Sequence, residues 1–244
     1  MIPYVDLDCQ VGMLVDAPVD TATPADLTTR QARLGIVAAA CAATSAWWHD
    51  PATGNAETHR LAVGHLRPTV MLHPSLPGEQ PVTAEPIWAD AVLATAAPGR
   101  HGWDLTDPSA VPLLDALEEM ARPLLLSTED LDWPGLDRLA GARPALTVLV
   151  TDIGYRALRR LVPVLHRRPN LLALTTNFAT HEGIEWFVEH LGADRLLFGS
   201  GTPRHDPGAA VARLQWSGLD DATVRQIAHD NAVRLIPALG EVAR

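Results

Sequence analysis

Eight short apolar runs, separated by stretches with helical features, restrict the folds open to this sequence. Each run has the length and composition of a strand buried on both faces of a parallel sheet. The runs are Tyr4–Leu7, Ile36–Cys41, Thr69–His73, Ala91–Ala96, Pro123–Ser127, Ala145–Thr151, Leu171–Thr176 and Arg195–Ser200. Strands that alternate with helices predict an α/β fold, here a single (β/α)8 barrel of the TIM type, regular or distorted. A doubly wound open sheet is the alternative.

Helix signals occupy most of the intervals between the runs. Thr23-Pro24, Asp107-Pro108 and Asp206-Pro207 each place a capping residue before a proline at the first helical position. The predicted helices are Ala25–Leu34, Pro108–Met120, Trp133–Ala140, Tyr155–Arg167, Thr180–His190, Gly208–Trp216 and Asp221–Leu235. The proline-rich stretch Pro74–Pro86 predicts a loop with little regular structure.

Composition narrows the function classes. The 244 residues suit one barrel domain, residues 1–244, and the net charge of -10 without a basic cluster argues against nucleic acid or a membrane surface as partner. No signal peptide or membrane span is visible, and Cys9 and Cys41 are interpreted as reduced thiols, so a cytoplasmic location is expected. The sequence contains no lysine, which excludes Schiff-base chemistry and a carbamylated lysine that bridges two metals.

The segment Leu196–Pro203, with the sequence LLFGSGTP, resembles the last barrel strand of the amidohydrolase superfamily. The resemblance is to the amidohydrolase-related branch that includes aminocarboxymuconate-semialdehyde decarboxylase. In that branch the strand reads Leu-Phe-Gly-Ser-Asp-x-Pro, and its Asp is the catalytic carboxylate beside the metal. Here Gly201 stands at that position.

The resemblance extends over nearly the whole chain, while the positions that carry the family's chemistry differ. Asp8 and Gln10 stand where the first strand has two metal-binding histidines, and Ser127 and Asp152 replace the histidines after the fifth and sixth strands. The resemblance therefore implies a barrel of this family with degenerate metal-site motifs.

The four replacements would offer only oxygen atoms to a cation. Such a set suits magnesium or calcium better than zinc, although His73 or His205 could add a nitrogen. We expect no cofactor and no metal-binding residues; a weakly bound divalent metal ion is the alternative.

Sites in such barrels form at the carboxyl ends of the strands. The candidate catalytic residues are Asp8 and Asp152, and two carboxylates placed this close would repel unless a cation such as Arg204 compensates. The candidate substrate-binding residues are Gln10, His49, His73, Trp103, Ser127, Glu129, Asn177 and His205. Cys9, between two inward-pointing residues, should point to the helices.

Three functions remain open at this stage, and whether the protein is an enzyme stays undecided. The favoured hypothesis is a non-catalytic barrel that binds a partner or ligand. The candidates for that partner or ligand are an intact amidohydrolase homologue, a second copy of the chain and a small molecule. The alternative is a divergent hydrolase or lyase that acts on a small carboxylated or cyclic molecule through Asp8 and Asp152, with or without a hard metal ion. The third is a small-molecule binding protein that uses the aromatic loops.

Overall fold

The fold is a barrel of eight parallel strands. A computed structural model describes residues 2–14, 23–76, 78–130 and 132–243. The strands are β1 (Tyr4–Val11), β2 (Ile36–Ala43), β3 (Leu66–Met71), β4 (Leu93–Ala96), β5 (Leu124–Ser127), β6 (Val148–Thr151), β7 (Leu171–Leu174) and β8 (Leu196–Leu197). They pair in chain order, each parallel to the next. The TIM-type barrel is thus confirmed, and the open sheet is wrong.

The barrel closes between β1 and the segment that follows β8. The amide of Leu7 donates to the carbonyl of Phe198 at 3.1 Å, and the amide of Gln10 donates to that of Thr202 at 2.7 Å. Regular pairing of β8 ends at Leu197, three residues before the predicted end, and Gly201 has a φ of 71°. The closing strand is therefore distorted where it borders the mouth of the barrel.

Helices surround the strands. They are α1 (Pro24–Arg33), α2 (Thr44–Trp48), α3 (Pro51–Leu61), α4 (Pro86–Asp90), α5 (Pro98–His101), α6 (Val111–Glu119), α7 (Trp133–Ala142), α8 (Tyr155–Arg167), α9 (Gly183–Leu191), α10 (Pro207–Gln215), α11 (Asp221–Arg225), α12 (Asn231–Leu235) and α13 (Pro237–Val242). Among the described residues, no helix has both the length and the apolar character needed to cross a membrane.

Of the seven predicted helices, Tyr155–Arg167 has the predicted bounds and the others have shifted ones, except that Asp221–Leu235 is divided by a π-helical turn at Gln226–Asp230. Helices α2, α4, α5 and α13 were not predicted. A 3-10 turn at Pro108–Ala110 precedes α6, and the Asp107 carboxylate accepts from the Asp104 amide instead of capping the helix. Within Pro74–Pro86, a 3-10 turn forms at Val82–Ala84, and Pro77 lies outside the described residues.

The strands separate two layers of core. Leu7, Leu125 and Leu149 belong to the cluster of side chains inside the barrel, and alternate residues face the helices. Cys9 packs with Leu27 of α1 and with Cys41, its register partner on β2. Its outward orientation is as predicted.

Asp6 ties β1 to the segment after β8. Its buried carboxylate accepts from the Ser200 amide at 2.9 Å, the Ser200 hydroxyl at 2.6 Å and the Asp8 amide at 3.1 Å. Burial raises the pKa of Asp6 to about 7, although these hydrogen bonds act in the opposite direction. The carboxyl therefore holds a proton in the folded protein over a pH range in which it is ionised in the unfolded chain.

This difference predicts a pH dependence of stability. Because the folded state binds the proton more tightly, the free energy of unfolding should fall as the pH rises from about 4 to about 7 and then level off. Asp6→Asn resembles the protonated carboxyl, so the variant should lose less stability than the wild type between about pH 5 and about pH 7.5 in denaturant unfolding. An equal loss in both proteins would contradict the assignment to Asp6.

Candidate functional site

Two buried carboxylates, Asp8 and Asp152, mark the carboxyl ends of β1 and β6. Asp8 Oδ2 accepts from the hydroxyls of Thr151 at 2.5 Å and Thr176 at 2.9 Å. Asp152 follows β6 with a φ of 58°, and its Oδ2 accepts from the Ser127 hydroxyl at 3.2 Å. Each carboxylate is 4% exposed or less.

Arg204, from the segment after β8, supplies the positive charge at this mouth. Its Nη2 donates to Asp152 Oδ2, and its Nη1 donates to Glu129 Oε2 at 3.1 Å. The second oxygen of Asp152 pairs with His205 Nε2 at 2.9 Å. The predicted compensation by Arg204 is confirmed, and both oxygens of Asp152 are engaged.

The electrostatic balance differs between the two acids. Burial alone would raise the pKa of Asp152, but the His205 hydrogen bond and the charge of Arg204 together hold it below its usual range. Burial and the charge of Asp152 raise the pKa of Asp8, with Arg204 and the threonine hydroxyls only partly offsetting them. Of the two, Asp8 is the acid that more readily retains a proton.

The His205 ring lies over Gly201. A Cβ added to Gly201 would come within 2.7 Å of His205 Cδ2 and within 2.7 Å of Thr176 Cγ2. The space beside the Gly201 backbone is therefore already filled, and a residue with a side chain would not fit there without rearrangement of its neighbours.

Gln10 and Trp47 border a small cavity that Asp8 also lines. The cavity measures about 10 Å³, and Thr69 and Thr95 also line it. Gln10 Oε1 and Trp47 Nε1 are buried without a hydrogen-bond partner among the described residues. Because this acceptor and this donor border the same cavity, a water molecule or a ligand atom in the cavity could form a hydrogen bond with each of them.

The predicted site residues divide into those in this cluster and those elsewhere. Arg204 joins Glu129 to Asp152, which in turn binds Ser127 and His205, while Asp8 binds the neighbouring threonines. Asn177 has a φ of 52° and follows Thr176.

Three predicted residues lie outside the cluster. His73 Nε2 pairs with Glu85 Oε1 at 2.9 Å and lines a separate groove of about 530 Å³. His49 is exposed at the end of α2, and Trp103 packs against the hydrophobic core.

Thr151 and Thr176 were missed as site residues. Each is the last residue of a predicted apolar run. A hydroxyl side chain at the carboxyl end of a predicted strand is therefore the sequence feature that could have identified them. Asn55 lies inside α3, which Asp50 caps, and its side-chain amide donates to the carbonyl of Met71 and accepts from the amide of Met71.

The comparisons with known proteins identify the relatives of this fold. A sequence profile described as Amidohydrolase matches residues 15–238. A comparison with curated proteins gives no sequence match.

Several solved structures share the fold. An uncharacterised TIM-barrel protein from Bordetella bronchiseptica superposes with a TM-score of 0.76 at 18% identity, covering 98% of this chain and 99% of that one. A putative 2-pyrone-4,6-dicarboxylic acid hydrolase from Pseudomonas putida gives 0.70 at 18%, covering 97% and 98%. A 5-carboxyvanillate decarboxylase from Novosphingobium aromaticivorans, solved with bound manganese, gives 0.71 at 12%, covering 96% and 97%. These similarities establish the barrel architecture.

The residues present do not fit a metal of the kind bound in that decarboxylase. Asp152 is ion-paired with Arg204 through one oxygen and hydrogen-bonded to His205 through the other, so neither oxygen is free to bind a divalent cation. Across the described ranges, no three His, Cys, Asp or Glu side chains are grouped so that they could hold a metal ion.

The first variant to test here is Asp152→Asn. Asparagine tolerates a positive φ, so the backbone should stay the same while Arg204 loses its buried counter-ion. The free energy of unfolding should fall by about 2 kcal/mol or more in denaturant titrations. Asp206→Asn is the control: this exposed partner of Arg30 should cost about 1 kcal/mol or less. Equal effects of the two variants would contradict the structural role of Asp152.

Gly201→Asp, which restores the family's residue, should give no turnover and should destabilise the fold. The positive φ costs about 1 kcal/mol and the overlap with His205 and Thr176 about 1–3 kcal/mol more. Gly64→Asp isolates the first term, because Gly64 has a φ of 63° with nothing near its Cβ position. Thermal unfolding would refute the account if both variants shifted the midpoint equally.

Proposed function

The chain belongs to the amidohydrolase family, and we propose that it has lost the metal-dependent chemistry of that family and binds a ligand or partner without converting it. Its barrel resembles those of hydrolases and decarboxylases. What distinguishes this chain is how its own residues fill the mouth of the barrel.

The observation that carries the proposal is the ion pair between Arg204 and Asp152. A guanidinium at hydrogen-bonding distance supplies the positive charge that the two buried acids need. A divalent cation bound to Asp152 would lie next to that guanidinium. Two positive charges at this spacing repel each other strongly in a site sheltered from water. Arg204 thus compensates Asp152 and part of the charge effect on Asp8, which a metal ion would otherwise have to do.

A second observation concerns the general base. The family's strand carries a carboxylate where this chain has Gly201, and the adjacent space holds the His205 ring. A residue without a side chain cannot transfer a proton. The chain thus lacks both the ligand set and the base that the resemblance maps onto these positions.

The groups left available favour binding of a neutral polar group. Gln10 Oε1 is an acceptor and Trp47 Nε1 is a donor, each without a partner among the described residues, and Asp8 lines the same cavity. A second carboxylate there would face Asp8 in a buried space and be repelled. Because the cavity measures about 10 Å³, it has room for one water molecule or for one hydroxyl group of that size, and either would match this pair.

A divergent hydrolase or lyase without a metal is the second candidate. It is favoured by the Asp152–His205 pair, in which the His205 side chain is 35% exposed and bonded at 2.9 Å to a carboxylate 1% exposed. A carboxylate that orients an accessible imidazole is the arrangement used for general acid–base catalysis.

The proposal predicts no metal-dependent turnover. Protein purified without chelator should contain no stoichiometric zinc or manganese. With either metal added, it should not convert 5-carboxyvanillate or 2-pyrone-4,6-dicarboxylate under conditions in which the manganese-bound decarboxylase converts its own substrate. Turnover that requires added metal would overturn the proposal.

Metal-independent turnover would instead support the second candidate. In that case activity should disappear in His205→Gln and persist in His166→Gln, since His166 lies exposed on α8. Loss of activity in both variants would show that neither assignment is correct.

A further inference from the structure

The two neighbouring helices α8 and α9 carry opposite charges. α8 contains four arginines and no acidic residue, whereas α9 and the residue before it contain three glutamates and no arginine. On α8, Arg167 pairs with Asp137, and Arg160 lies over the Trp133 ring. Arg159 has no such partner among the described residues, so one edge of the α8–α9 surface is basic and the other acidic.

A groove of about 710 Å³ separates these helices. Its apolar side chains include Leu158, Val162 and Pro163 from α8 and Trp186 from α9, while Arg159 lies on one edge and Glu189 on the other. Trp186 is 38% exposed. An open groove with apolar walls and charged edges is typical of a surface that another protein covers.

The apolar character continues beyond the groove. The adjoining depression between α9 and α10 shares residues 180–183 and 185 with it and contains Trp216, which is 86% exposed. Tyr155, at the start of α8, is 60% exposed. Aromatic side chains are enriched in protein interfaces and supply much of their binding energy, so this face has the composition of an interface.

The charge pattern selects the partner and its orientation. Helices α8 and α9 follow the parallel strands β6 and β7, and therefore run in the same direction. A two-fold axis along the groove places α8 of each copy against α9 of the other, so arginine meets glutamate. A two-fold axis across the groove places α8 against α8 and brings arginines together, which is unfavourable.

We propose that this face binds a second copy of the chain, forming a homodimer about a two-fold axis that runs along the α8–α9 groove. Each Arg159 then faces the partner's Glu189, and each Trp186 packs against the partner's α8. Because a two-fold interface uses the same patch twice, a surface that holds both charges side by side is self-complementary. The dimer is independent of the function proposed for the barrel mouth.

Sedimentation equilibrium over a range of protein concentrations tests the dimer. The wild type should dimerise, and both Arg159→Glu and Glu189→Arg should weaken dimerisation tenfold or more, since each places like charges in contact. The double variant exchanges the charges and should recover most of the wild-type affinity. Arg60→Glu is the control: Arg60 is exposed on α3, and its reversal should leave the dimer unchanged.

Trp186→Ala tests the apolar contact, and circular dichroism checks that each variant is folded. Loss of dimer without loss of helix signal is expected. A wild type that remains monomeric to about 100 µM overturns the proposal and leaves a different protein as the occupant. A dimer that persists in both single charge variants overturns it as well, because association would then use another face.

Discussion

The buried ion pair between Arg204 and Asp152 determines what the mouth of this barrel can do. Two acids from different strands converge there, and without a cation their repulsion and desolvation would oppose folding. Arg204 comes from the segment after β8, so the same segment that closes the barrel against β1 also neutralises its mouth. Closure of the fold and charge balance at the site are therefore coupled.

Several residues at the mouth act together in one network. Arg204 and His205 engage the two oxygens of Asp152, and because Gly201 lacks a side chain, the His205 ring can lie over its backbone. Ser127 and the threonines supply hydroxyl donors to the remaining lone pairs. The result is a network in which both carboxylates are hydrogen-bonded, which explains how the barrel mouth can remain polar although it is buried.

The sequence predicted the barrel well because buried parallel strands leave a strong local signal. Its failures arose where tertiary contacts decide the outcome: β8 loses regular pairing around Gly201, and α2 follows β2 directly with no capping side chain to mark its start. By contrast, α3 begins with Asp50-Pro51, the same capping residue and proline that mark other helices of this chain. Asp8 and Asp152 were predicted as neighbours because strand ends share one face of a barrel. The positions of His49, His73 and Trp103 depend on loop paths, which short sequence patterns do not specify.

The orphaned groups in the cavity and the charge-divided helices could not be recognised from the sequence. Gln10 and Trp47 come from consecutive strand–helix units, and only their side-chain packing leaves an acceptor and a donor without partners. Likewise, the sequence shows that α8 carries arginines and α9 glutamates, but only the structure shows that the two helices border one groove.

The most direct test of the central claim is a manganese titration of the wild type and Arg204→Gln, followed by electron paramagnetic resonance. If Arg204 stands in for a cation, the wild type should show no stoichiometric site. The variant, in which Asp8 and Asp152 have lost their guanidinium, should bind manganese more tightly than the wild type. Stoichiometric manganese binding by the wild type, unchanged or weakened in Arg204→Gln, would contradict the account.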